Sequence, residues 1–197
     1  MGKRCQIFVD DMSQLQDVYQ QAIDFAARAH GSQRVPGKSY SYIVHLSNVA
    51  MEVLLAHQAV PLERPVYALQ CALLHDVLED TSVTEQELEA GFGEEVMLGV
   101  LALTKDTSLP KKEQLVDSVL RIKRQSIEVG IVKLADRITN LQEPPPHWPG
   151  AKRTFYLEQA QLIARELGHC HPFLKDRLEA KIRDYRRFLP APVDLRT

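Results

Sequence analysis

An apolar run that ends abruptly in polar groups is the feature that most constrains this chain. The run, 71–74, is followed by His75 and Asp76. Two more carboxylates, Glu79 and Asp80, come one helical turn later. Residues four positions apart share a helix face, so the four side chains would form a narrow stripe. Such groups are costly to bury without a partner, and a metal ion is the simplest partner. We interpret this stretch as the active centre.

The adjacency of His75 and Asp76 restricts the local backbone. Neighbouring side chains on a helix point about 100° apart. Both can therefore reach one ion only where the helix is locally adjusted or ends. Turn-forming residues follow position 80, so the sequence predicts the end there.

The rest of the chain shows helical periodicity. No stretch has sustained period-2 alternation of β-branched residues, and there is no repeat or low-complexity tract. Gly- and Pro-containing loops are predicted at 31–38 and 105–112, and the segment 143–150, with four prolines, is predicted to be a linker. Thr84 is predicted to be a helix N-cap with Glu87 in the capping-box position. We therefore predict an all-α, single-domain fold with helices at about 12–30, 42–59, 65–77, 85–91, 94–104, 113–125, 131–141, 151–168 and 171–188.

Composition excludes several classes of protein. The chain has 197 residues, enough for one buried core or for two small domains, and its 45% hydrophobic and 25% charged residues are typical of a soluble globular protein. The formal net charge is −2 and the basic residues are dispersed, so we expect neither a nucleic acid nor a membrane surface as partner. The longest apolar runs fall short of the ~20 residues of a membrane span, and no signal peptide is evident.

The cysteines indicate a reducing compartment. Cys5, Cys71 and Cys170 are odd in number, far apart and without CxxC spacing. This pattern argues against a disulfide framework or a zinc ribbon. We expect reduced thiols and a cytoplasmic location.

Metal ligands would have to come from more than one helix. The candidates are His45, the pair His75 and Asp76, and Asp136. Two imidazoles and two carboxylates suit Mn, Fe or Zn and leave positions for water and substrate, whereas Mg²⁺ prefers oxygen ligands. Alternatively, His45 could be a core or capping residue, and Asp136 an ion-pair partner. The combination favours a metal site, because Asn140 lies one turn after Asp136 inside an apolar helix.

Three segments carry a resemblance to a known family: Tyr42–His45, Ala72–Thr81 and Val132–Leu141. They resemble the HD superfamily of metal-dependent phosphohydrolases, and more narrowly the Rel/SpoT hydrolase domain and the stand-alone small alarmone hydrolases. The HDxxEDT element is the specific part of the match. The resemblance implies an HD-type helical bundle, with one hydrolase domain over 1–197 and a core at about 12–188.

The resemblance also implies a reaction and a ligand set. The reaction removes the 3′-pyrophosphate of an alarmone such as ppGpp, pppGpp or ppApp. Glu79 and Asp80 would position or activate the attacking water, and Asn140 would hold the substrate beside the metal. The chemistry is coherent, because a bound divalent ion lowers the pKa of water towards ~7 and a nearby carboxylate can take the proton. The implied ligands of one Mn²⁺ ion per chain are His45, His75, Asp76 and Asp136.

Substrate contacts are predicted from basic and aromatic residues. Arg34 and Lys38 resemble the basic loop of the family, and the planar guanidinium of Arg34 could stack on a base. The alternative for both is a solvated loop charge. Tyr156 resembles an aromatic position near the nucleotide, although it could equally belong to the core. Further phosphate contacts are predicted from Lys133, Arg137 and Lys152.

The chain departs from the family pattern near the expected nucleoside. Residues 141–144, Leu-Gln-Glu-Pro, follow Asn140 where Arg-Thr is common, Val35-Pro36 replaces a basic position, and Ser41 replaces a proline. The choice between guanine and adenine therefore stays open, as does the choice between an alarmone and another phosphorylated nucleotide, such as NADPH or a nucleoside monophosphate. A catalytically silent nucleotide-binding HD module and a purely helical scaffold are two further hypotheses. The sequence does not indicate an oligomeric state.

Overall fold

Apolar side chains at helical spacing bring the central helices together around one core. The computed structural model describes the backbone of residues 2–190 and the side chains of residues 14–190. Cys5, one of the predicted thiols, lies outside the described side chains. The helices in chain order are α1 Gly2–His30, α2 Ile43–Ala59, α3 Pro65–Leu74, α4 Val77–Asp80, α5 Glu85–Phe92, α6 Glu94–Leu103, α7 Lys111–Ile122, α8 Ile127–Asn140, α9 Gly150–Leu167 and α10 Pro172–Tyr185.

The predicted all-α fold is confirmed. Residues 2–190 contain no β-strand. Within this range, β-type pairing is limited to an isolated bridge between Arg34 and Ser41. The capping box of α5 is also confirmed, because Thr84 Oγ1 accepts from the Glu87 N–H at 3.2 Å and the Glu87 carboxylate accepts from the Thr84 N–H at 2.9 Å. Within the described range, no helix combines the length and apolar character needed to cross a membrane.

Helix α3 lies at the centre of the bundle. It packs against α1, α2, α6 and α8, and residues 71–74 are completely buried. Helix α8 is also enclosed, and 128–138 is buried without interruption. Because α8 has no solvent-facing side along this stretch, its charged residues must find partners inside the protein.

Several predicted helix boundaries were wrong, among them the start of α8, which lies at Ile127 rather than near residue 131. The first helix begins at Gly2 rather than near residue 12. Helix α3 ends at Leu74, and the chain resumes as α4 at Val77. Asp76, in the break, has φ −106° and ψ 0°, which lies between the helical and extended regions. The helix end expected after position 80 is present, since α4 ends at Asp80, and a further break contains both candidate ligands, His75 and Asp76, and changes the direction of their side chains.

Candidate metal centre and active site

Four side chains from three parts of the fold meet at one point. His45 lies in the first turn of α2, His75 and Asp76 lie in the break after α3, and Asp136 lies on α8. The Nε2 atom of His45 is 3.2 Å from His75 Nε2, 3.6 Å from Asp76 Oδ2 and 3.5 Å from Asp136 Oδ1. His75 Nε2 is 2.9 Å from Asp76 Oδ2 and 3.8 Å from Asp136 Oδ1. The sequence-predicted ligands therefore form one cluster.

The orientation of these groups fits a divalent cation. His75 Nδ1 is 2.8 Å from the carbonyl oxygen of Ala72, and because a carbonyl only accepts, Nδ1 carries the hydrogen. In the neutral ring, Nε2 then presents a lone pair towards His45. Ligand atoms of His45, His75 and Asp76 lie within 4.8 Å of one another. Two imidazole nitrogens and nearby carboxylate oxygens form a mixed donor set that binds divalent metals. His45, His75 and Asp76 are thus arranged to hold a divalent metal ion.

Further side chains hold the two carboxylates in place. The Tyr42 hydroxyl donates to Asp76 Oδ2. The buried ammonium group of Lys133 donates to Asp136 Oδ2 at 3.2 Å, and the Asn140 amide donates to Asp136 Oδ1. Such second contacts fix the orientation of ligand side chains and tune their affinity for the metal.

The electrostatics of the metal-free cluster reflect its excess of carboxylates. Burial alone would lower the pKa of His75. The negative charges of Asp76 and Asp136 outweigh this effect and raise the pKa from 6.5 to about 9. Burial raises the pKa of Asp76, but contact with the two imidazoles holds it well below its usual range. Burial likewise raises the pKa of Asp136, which Lys133 and the imidazoles lower overall. At neutral pH a proton on His75 thus supplies positive charge that a metal ion would otherwise bring.

The two carboxylates of α4 have hydrogen-bond partners of their own. Glu79 accepts from the ammonium group of Lys105 at 2.5 Å and from its backbone N–H at 3.1 Å. Asp80 is exposed and accepts from Gln33 Nε2 at 2.9 Å, while Gln33 Oε1 lies 2.7 Å from His30 Nδ1. The acidic pair is therefore separate from the ligands and held from two different loops.

Sequence reasoning missed several of these supporting residues. Tyr42 lies in a segment that the resemblance had identified, three residues before His45. Gln33 directly precedes the basic residue Arg34, but nothing in the sequence linked it to Asp80, 47 positions away. Lys105 begins a polar loop and gave no signal.

A pocket of about 610 Å³ opens beside the metal cluster. His45, from the cluster, and Asn140, which bonds to Asp136, are among the residues that line it. The loop before α2 and the linker before α9 form its walls, together with aromatic residues from α9 and α10. The aromatic side chains that line the pocket are Tyr40, Trp148, Tyr156 and Tyr185.

The predicted substrate-binding residues occupy different positions around the pocket. Lys38 and Tyr156 line it. Arg34 is exposed and lies outside the lining. Arg137 is buried with its guanidinium 4.5 Å from the centroid of the Tyr156 ring, and the Lys152 ammonium group lies 4.1 Å from the Trp148 ring. These last two cations therefore contact aromatic residues of the wall rather than the pocket itself. Lys133, described above, is directed to Asp136.

Comparison with known proteins agrees with this arrangement. The HD domain family model matches residues 22–168. Guanosine-3′,5′-bis(diphosphate) 3′-pyrophosphohydrolase MESH1 of Danio rerio is 33% identical over 81% of this chain and 89% of its own length. The human protein of the same name is 35% identical with the same coverage.

A bacterial relative and a solved structure extend the comparison. The bifunctional (p)ppGpp synthase/hydrolase SpoT of Escherichia coli is 33% identical over 86% of this chain, which corresponds to 24% of SpoT. A solved structure of a metazoan SpoT orthologue that hydrolyses ppGpp superposes with a TM-score of 0.74 at 28% identity, covering 87% of this chain and 97% of that one. The family model matches most of the chain, the relatives are 33–35% identical, and the helical bundle with its His and Asp cluster agrees with both. This chain therefore belongs to the HD domain family.

Proposed function

We propose that this chain is a Mn²⁺-dependent phosphohydrolase that removes the 3′-pyrophosphate of guanosine-3′,5′-bis(diphosphate) or a closely related alarmone. The observation that carries the proposal is that His45 belongs both to the metal cluster and to the lining of a pocket of about 610 Å³, with an acidic pair on the helical turn after the cluster. The relatives at 33–35% identity that bear the name of this activity support it.

The metal would be held by His45, His75, Asp76 and Asp136. When bound, a divalent ion polarises a phosphoryl oxygen and makes a coordinated water more acidic. The mixed nitrogen and oxygen donors favour Mn²⁺ over Mg²⁺, which prefers oxygen ligands alone. Tyr42 and Lys133 keep these carboxylates oriented. Tyr42 donates to Asp76 Oδ2, the oxygen that faces the imidazoles, and Lys133 donates to Asp136 Oδ2.

The acidic pair would carry out the proton transfer. Asp80 accepts the proton of the attacking water on its carboxylate, and the amide of Gln33 keeps that carboxylate in position. Glu79 orients the same water, with its charge balanced by Lys105. Asn140 holds the substrate next to the ligands, because its side chain both lines the pocket and bonds to Asp136.

The nucleoside would occupy the aromatic part of the pocket. Bases stack readily on aromatic side chains, and the rings of Trp148 and Tyr156 lie 5.2 Å apart in an edge-to-face arrangement. Lys38, at the pocket wall, would pair with a phosphate at the 5′ position.

We further propose that the domain spans 1–197 and that the protein is cytoplasmic. The free thiols of Cys71 and Cys170 support this location, because cytosolic cysteines stay reduced.

A product analysis with defined metals tests the proposed reaction. Protein stripped with EDTA is reconstituted with Mn²⁺, Mg²⁺ or Zn²⁺ and incubated with ppGpp, pppGpp, ppApp or NADPH. The expected products from ppGpp are GDP and pyrophosphate, with the highest rate in Mn²⁺ and none in EDTA. Release of orthophosphate alone would contradict the alarmone reaction. Absence of turnover on all four substrates at full metal content would indicate a catalytically silent HD module.

A further inference from the structure

Glu143 places a carboxylate in the wall of a pocket that must receive a polyanion. It is exposed and lies in the linker between α8 and α9. Among the described residues that line the pocket, Lys38 is the one lysine or arginine and Glu143 the one acidic residue. A negative charge there opposes the phosphates of any nucleotide. The Glu143 carboxylate would be favourable at this position if it accepted hydrogen bonds from an uncharged part of the ligand.

The backbone limits how far Glu143 can lie from Asn140, which bonds to Asp136 of the cluster. Asn140 bonds to Asp136, and Glu143 follows three residues later, so their Cα atoms are separated by at most ~10 Å. The N–H of Gln142 bonds back to the Asn140 carbonyl at 2.9 Å, which shortens the path. This limit is comparable to the distance from the 3′ position of a ribose to the outer edge of its base, so a nucleotide with its 3′ phosphate near Asn140 could bring its base edge to Glu143.

The prolines after Glu143 anchor it against the opposite loop. Pro144 is buried, and both prolines restrict the backbone. Pro145 packs on Gly37, where a Cβ atom would lie only 3.4 Å from Pro145 Cγ. The carboxylate is therefore presented from a restrained backbone at the point where the linker meets the loop that precedes α2.

The donor pattern of the base then decides which nucleotide fits. A carboxylate only accepts hydrogen bonds. The Watson–Crick edge of guanine offers two adjacent donors, N1–H and the N2 amino group, which match the two oxygens of one carboxylate. Adenine offers one donor, its N6 amino group, next to the N1 lone pair, which a carboxylate repels. We propose that Glu143 reads the guanine edge and makes this pocket selective for guanosine over adenosine nucleotides, an inference that rests on the proposed alarmone hydrolysis.

A selectivity ratio tests this role directly. The ratio of kcat/KM for ppGpp over ppApp is measured for the wild type, Glu143→Gln and Glu158→Gln, an exposed glutamate of α9 outside the pocket lining. A bidentate pair at an exposed site should give the wild type about tenfold preference for ppGpp. In Glu143→Gln the ratio should fall to about one or below, because an amide can accept from N6 and donate to N1 of adenine. Glu158→Gln should retain the wild-type ratio. An unchanged ratio in Glu143→Gln, or a wild-type preference for ppApp, would overturn the assignment.

A binding measurement separates failure of this inference from failure of the proposed reaction. Calorimetric titration with GDP and with ADP requires no turnover. The wild type should bind GDP about tenfold more tightly than ADP, and Glu143→Gln should lose that difference. If the wild type cleaves neither alarmone but this GDP preference is present and depends on Glu143, the reaction is wrong and the base recognition stands. Equal binding of GDP and ADP by the wild type, or binding of neither, would refute the role of Glu143.

Discussion

Lys105 engages the carboxylate of Glu79 twice. Its backbone N–H lies 3.1 Å from Glu79 Oε2, and its ammonium group lies 2.5 Å from Oε1. Burial lowers the pKa of Lys105, but the charge of Glu79 raises it overall, so the ammonium group stays protonated at neutral pH. The acidic pair of α4 is thus asymmetric, with Glu79 fixed by a cation and Asp80 fixed by the neutral amide of Gln33.

Replacing Lys105 by methionine should reduce turnover more than stability. The variant Lys105→Met keeps the backbone bond but removes the counter-ion, so Glu79 can swing away from the water. Because hydrogen bonds to charged groups are worth about 1.5–3 kcal/mol, we expect kcat to fall roughly tenfold or more. The Lys105 side chain is exposed and Glu79 is partly exposed, so Tm should change by less than about 4 °C. Steady-state kinetics measure kcat and thermal unfolding measures Tm. The control is Lys112→Met, which replaces an exposed lysine of α7. Unchanged kcat would show that the tether of Glu79 is irrelevant to turnover.

Gln33 should act as a positioning residue for Asp80. Because His30 engages its oxygen at 2.7 Å, the amide nitrogen faces Asp80. Gln33→Leu removes the donor, and Gln33→Glu puts a second negative charge beside Asp80. We expect kcat to fall about tenfold in Gln33→Leu and further in Gln33→Glu, with KM and metal content near the wild-type values. Gln86→Leu, at an exposed position of α5, is the control. A rise in KM at constant kcat would instead assign Gln33 to substrate binding.

Tyr42 should tune the affinity for the metal. Its hydroxyl donates to a ligand carboxylate, and burial together with the charge of Asp76 raises its pKa, so the phenol stays protonated. Tyr42→Phe removes that bond with little change in volume. Contacts of this kind are worth about 10–100-fold in metal affinity. Titration of the EDTA-treated variant with Mn²⁺ should therefore show a Kd raised at least about tenfold. A wild-type Kd would place Tyr42 outside the metal site.

Metal removal should make stability depend on pH. In the metal-free protein the pKa of His75 is about 9, above the value of 6.5 for an unperturbed histidine. The folded state then keeps a proton that the unfolded chain releases, so its stabilising effect is complete below pH 6.5 and is lost as pH rises towards 9. A bound metal replaces this proton. Between pH 6.5 and 9 the Tm of the EDTA-treated protein should therefore fall, and the gap to the Mn²⁺-loaded protein should widen. Parallel curves for the two forms would contradict a metal on His75.

The fold was predictable because each helix is indicated by the spacing of apolar residues within its own short segment of sequence. The capping box at Thr84 and the proline-rich linker each depend on a few neighbouring residues, and both lie where the sequence indicates. The end of α3 was not predictable in the same way. It depends on a backbone conformation at Asp76 and on the bond from His75 to Ala72, which belong to the metal cluster rather than to helix propensity.

The part of the candidate site that could be predicted from the sequence is the set of polar residues that interrupt apolar helices. Asp136 lies within a continuously buried stretch, so the sequence alone demands a partner for it. The supporting contacts carry no such signal. Gln33 and Lys105 are polar residues in or next to loops, where any polar side chain is acceptable, and they meet the acidic pair only after the chain has folded.

The central claim is the division of labour between the ligand Asp136 and the proton acceptor Asp80. It is tested most directly by measuring metal content and turnover in the same preparations of Asp136→Asn and Asp80→Asn. Asp80→Asn should retain about one Mn²⁺ per chain and lose at least about a hundredfold in kcat. Asp136→Asn should lose both metal and turnover. Wild-type turnover in Asp80→Asn, or loss of its metal, would contradict this assignment.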